Sequence, residues 1–65
     1  HLQITAHFYQ GEKKSEEEIK QIMINAHYLN IVGKRSIQIA LDLHILSEES
    51  ILFVQGVPHA QIISL

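Results

Sequence analysis

The chain has 65 residues, 46% of them hydrophobic, a formal charge of −2 at pH 7 and no cysteine. That length holds one domain, 1–65, burying only about 60% of the surface its unfolded chain exposes; the lack of cysteine excludes disulfides and thiolate zinc sites and fits a reducing cytoplasm. The acidic balance excludes a role dominated by phosphate binding, which needs a basic stripe, and no apolar run approaches the roughly 20 residues that span a bilayer.

Leu2, Ile4, Ala6 and Phe8 alternate with Gln3, Thr5, His7 and Tyr9. Period two predicts a half-buried strand. The pattern is already running at His1, so an N-terminal β-rich portion is expected before it. Gln10-Gly11-Glu12-Lys13-Lys14 reads as a loop. Ser15 with Glu18 spells a capping box, and Glu16 and Glu17 suit the positive end of a helix. Ile19, Ile22, Met23 and Ala26 recur at helical spacing, predicting a helix from Glu16 to about His27. Residues 28–33 read as a turn plus a short buried segment.

A second helix is expected from Lys34 to Leu43, capped by Asn30 or Gly33, with Ile37, Ala40, Leu41 and His44 on one face. Ser47–Ser50 is a polar turn or a single helical turn. Ile51–Val54 is an apolar run of strand length, Gly56-Val57-Pro58 punctuates it, and Gln61–Leu65 resumes as a last strand. The fold class is therefore α+β: a small sheet of about three strands with two helices packed on one face, in the order β-α-α-β-β.

Five histidines invite a metal reading, but none of them pairs at the i, i+4 spacing of a helical metal site, and zinc needs three or four converging ligands. His1, His7, His27 and His44 are read as structural or surface residues, and neither a metal nor a cofactor is expected. His59 follows Gly56-Val57-Pro58, where a flexible glycine and a rigid proline make a turn able to hold an imidazole in one direction. That imidazole could serve as a base or an RNA donor; equally, the turn could only join two strands.

Gly33-Lys34-Arg35-Ser36 opens the second helix. Free amides, a favourable dipole, two cations and a hydroxyl make this the best anion site in the chain. It lacks the glycine-rich run of a P-loop. Gly33 could instead be a simple turn, and the cations a solvated face. Glu16-Glu17-Glu18 is read as helix capping, not as a carboxylate site.

Four segments together resemble one family. They are Phe8-Tyr9-Gln10-Gly11-Glu12, Asn30-Ile31-Val32-Gly33-Lys34-Arg35-Ser36, Ala40-Leu41-Asp42-Leu43 and Gly56-Val57-Pro58-His59-Ala60-Gln61. The combination is similar to an archaeal family, domain-of-unknown-function family 424, and the chain looks like its C-terminal two-thirds. His44 stands where members have a helix-ending glycine. The family has no established activity, so no catalytic residue carries over. The resemblance implies a cytoplasmic, translation-linked context, with ribosomal RNA and ribosomal proteins as partners and neither DNA nor membrane. Its motif positions Gly33, Arg35, Gly56, Pro58 and His59 are the expected contacts, with Lys34 and Ser36 beside them. The alternatives are a small enzyme using His59 and a protein-binding module with an exposed strand edge, from strand one or the last strand.

Overall fold

The computed structural model describes residues 4–63. Strand β1 is Thr5–Phe8, helix α1 Glu16–Asn25, strand β2 Tyr28–Val32 and helix α2 Lys34–Asp42. A 3-10 turn, Glu48–Ser50, leads into strands β3, Leu52–Val54, and β4, Val57–Ile63. The sheet order is β1-β2-β4-β3. The class is α+β with two helices, as expected, but the sheet has four strands. His1 and Leu65 lie outside the described residues.

The additional strand is β2, which replaces the turn expected over residues 28–33. Leu29 and Ile31 are buried while Tyr28, Asn30 and Val32 are partly exposed. β2 pairs in parallel with β1 and antiparallel with β4. A parallel neighbour requires a crossover connection, and α1 supplies it.

The capping box at α1 forms on both sides: Glu18 N donates to Ser15 Oγ, and Ser15 N donates to Glu18 Oε1, each at 3.2 Å. The helix stops at Asn25 rather than near His27, because Ala26 turns extended to lead into β2. His27 lies just beyond the helix end. Its Nδ1 accepts from Ile4 N at 3.2 Å, and its own N–H donates to Ile4 O at 2.8 Å.

Both helices cover one sheet face. Ile19 and Met23 of α1 and Ile37 and Ala40 of α2 share one core with Phe8, Leu29, Ile31 and Ala60. The opposite face carries Thr5, His7, Tyr28, Asn30, His59 and Gln61 and has no helix over it. The apolar run of β3 forms the sheet edge, with Leu52, Phe53 and Val54 all exposed.

The last strand begins at Val57, not Gln61. The turn between β3 and β4 is the two-residue loop Gln55-Gly56, with φ of 52° and 80°. Two positive φ values define a type I′ hairpin, whose twist matches that of its strands. Pro58 lies inside β4, opposite Phe53. The expected turn over Gly56-Val57-Pro58 is thus corrected: only Gly56 belongs to it.

Candidate functional site

The N-terminus of α2 begins at a glycine that no other residue can replace without strain. Gly33 has φ 104° and ψ 153°, outside the regions open to L side chains. A Cβ there would lie 2.9 Å from Gln10 Cα. Its N–H donates to Pro58 O at 2.9 Å, and its C=O accepts from Ile37 N at 3.0 Å. One residue thus joins the β1–α1 loop, α2 and β4.

Above this junction lies a cleft of about 330 Å³, lined by Tyr9, Gln10, Gly11, Glu12, Gly33, Lys34, Arg35, Ser36, Gly56, Val57 and Pro58. Three segments that are remote in the sequence meet here. Gly33, Lys34, Arg35 and Ser36 are where the anion reading placed them, and Gly56 and Pro58 join them. Tyr9, Gln10 and Gly11 were given no role from sequence, although they belong to a quoted motif.

The amides of Lys34, Arg35 and Ser36 precede Ile37 N, the first intrahelical donor, so the helix gives them no partner. No side chain caps this helix end. The Ser36 side chain is the decisive group. Ser36 is 2% exposed, lines the cleft, and its hydroxyl makes no hydrogen bond among the described residues. No buried side-chain oxygen or nitrogen among the described residues is left without a partner, so this unbonded hydroxyl keeps a small opening to solvent, and Ser36 lines the cleft. Lys34 is exposed. Arg35 Nη1 donates to Glu12 O at 2.9 Å, so part of the guanidinium ties down the β1–α1 loop while its other donors remain for a ligand. The Glu12 carboxylate is engaged by Lys14 Nζ at 3.4 Å.

His59 is not part of this cleft. Pro58 and Ala60 point into the core, and His59, between them, lies on the open face opposite Val32 and Leu52. It borders a separate hollow with Asn30, Ser50, Leu52, Ala60 and Gln61. Strand alternation, which sends successive side chains to opposite faces, sets His59 apart from the helix terminus. No carboxylate hydrogen-bonds His59 among the described residues. Nor do those residues contain a cluster of three His, Cys, Asp or Glu suited to a metal. No helix among them is long and apolar enough to cross a membrane.

Three of the four segments quoted for the family resemblance contribute residues to this cleft. A family model described as "Protein of unknown function (DUF424)" matches residues 1–65. The chain belongs to this family. The match takes in the whole chain, which corrects the narrower expectation of a C-terminal two-thirds. No curated protein and no solved structure matches it. In this DUF424 chain the glycine before Lys34 and the proline before His59 are bonded to each other, backbone to backbone, across the sheet.

Proposed function

We propose that this chain is a small archaeal ribosomal or ribosome-associated protein that grips an RNA phosphate in the cleft at the start of α2. Its role is structural binding in translation, in the cytoplasm, rather than catalysis. The observation that carries the reading is the unbonded Ser36 hydroxyl, still open to solvent where Ser36 lines the cleft, beside three amides that the helix leaves without a partner. An anion is the ligand that such donors favour. Lys34 and Arg35 at the rim add charge that an RNA backbone complements. A local site of this kind is compatible with a net charge of −2, because a protein held inside an assembly needs only a few phosphate contacts. The translation context comes from the family resemblance.

Sedimentation of the ribosome fraction from lysate in moderate salt tests this. The chain should travel with a ribosomal subunit. Lys34→Glu and Arg35→Glu should release it, by repulsion from phosphate, and Glu17→Ala should leave it in place. A wild-type chain that stays at the top of the gradient overturns the proposal, as do equal effects from all three variants.

The exposed β3 edge supports a second reading as a protein-binding module. Leu52, Phe53 and Val54 are 72%, 68% and 54% exposed, and an unpaired edge is a template for another strand. Neighbouring ribosomal proteins are the partners this edge would suit.

A further inference from the structure

The open sheet face differs from the rest of the surface in carrying no charge. All seven carboxylates of the chain lie in the β1–α1 loop, the helices and the 3-10 turn. The registers arrange the face in rows. His7, Asn30 and Gln61 lie side by side across β1, β2 and β4. Val32, His59 and Leu52 form the next row, and Tyr9 continues β1 beside it. Tyr9 is 64% exposed.

Two rings on this face are set apart by a specific gap. His7 and Tyr9 are nearly parallel, at 16°, with centroids 6.5 Å apart. Residues two apart on a strand are spaced this way by strand geometry. This centroid separation is close to twice the roughly 3.4 Å repeat of bases along a nucleic-acid strand, the spacing that one flat ring held between two others requires. Tyr28 stands edge-on to His7, at 72° and 6.5 Å, on the far side from Tyr9. Asn30 and Gln61 follow His7 across the sheet at steps of about 4.8 Å and offer both donors and acceptors to a base edge. Tyr9 also lines the phosphate cleft, so slot and cleft adjoin.

We infer that the open face is a binding platform for single-stranded RNA, with a base inserted between His7 and Tyr9 and the adjoining phosphate in the cleft beside Ser36. The inference rests on the RNA reading of that cleft and adds the strandedness of the ligand and the residues that hold its bases. Duplex RNA buries its bases in its own stack and cannot fill the slot.

The test is an amide and aromatic NMR titration of the full chain with inorganic phosphate, with single-stranded heptaadenylate and with a blunt-ended RNA duplex. Phosphate should move the Lys34, Arg35 and Ser36 amides alone. Heptaadenylate should move those amides together with His7, Tyr9, Tyr28, Asn30 and Gln61, and the duplex should leave the second set still. Tyr9→Ala and His7→Ala should each weaken heptaadenylate binding roughly 5- to 100-fold, the range for losing one stacked base, whereas Tyr9→Phe should stay within about twofold. Phosphate shifts at Ser36 should be the same in every variant. If phosphate and heptaadenylate both move the helix amides while the open face stays still, the inference falls and the phosphate reading survives. If neither ligand moves the helix amides, both fall. Open-face shifts that follow protein concentration without RNA would assign the face to a second copy and overturn the inference.

Discussion

His44 adopts a glycine's conformation without being one, and replacing it should stabilise the fold. It has φ 61° and follows the C-cap residue Leu43 of α2. Its N–H donates to Leu41 O at 3.0 Å, and the Ile45 N–H donates to Ala40 O at 3.3 Å. These are the two bonds of a Schellman motif, which requires a left-handed residue at this position. The left-handed region costs an L-residue roughly 1–2 kcal/mol. Glycine escapes that cost but surrenders about 0.5–1 kcal/mol more backbone entropy on folding. The net gain from His44→Gly is about 0.5–1 kcal/mol, and His44 is exposed, so little packing is lost. For a domain of this size each kcal/mol moves Tm by about 4–8 °C, giving a rise of roughly 2–8 °C. Thermal unfolding followed by circular dichroism reads this, with His44→Ala as the control. Both variants remove the imidazole and any interaction it has with the helix end, so their difference isolates the backbone. A His44→Gly chain no more stable than His44→Ala would refute the reasoning.

Gly33→Ala should cost about 2–4 kcal/mol, since it meets both a forbidden backbone region and the Gln10 backbone at 2.9 Å; Gly56→Ala, with φ 80° but nothing within 4 Å, should cost only about 1–2 kcal/mol, and urea unfolding compares the two. Ser15→Ala removes one half of the α1 capping box and should lower stability by about 1 kcal/mol in the same assay. Val54→Lys places a charge on the exposed β3 edge; stability should stay within about 0.5 kcal/mol, while self-association at high concentration, followed by light scattering, should fall if the bare edge drives it.

Local signals sufficed where the physics is local. The α1 capping box, the helical spacing of Ile19 and Met23, the alternation of β1 and the start of α2 at Gly33-Lys34 all depend on neighbours within a few residues, and all were legible from the order of residues. β2 was not, because Tyr28–Val32 is a strand by virtue of partners on both sides, β1 and β4, that lie remote in the chain. The Gly56-Val57-Pro58 reading failed for a related reason. Proline and glycine signal a turn, but cross-strand pairing of Val54 with Val57 moved that turn back to Gln55-Gly56 and drew Pro58 into the sheet.

Residue order alone determined an α+β domain with two helices, the second opening at Gly33. Tertiary structure decided that the loop at Gln10, the glycine at 33 and the strand at Pro58 close on one cleft, because a steric contact and a hydrogen bond between distant segments exist only after the sheet has formed. It also parted His59 from that cleft. Strand alternation commits each side chain to one face or the other, and which face is buried is settled by where the helices land.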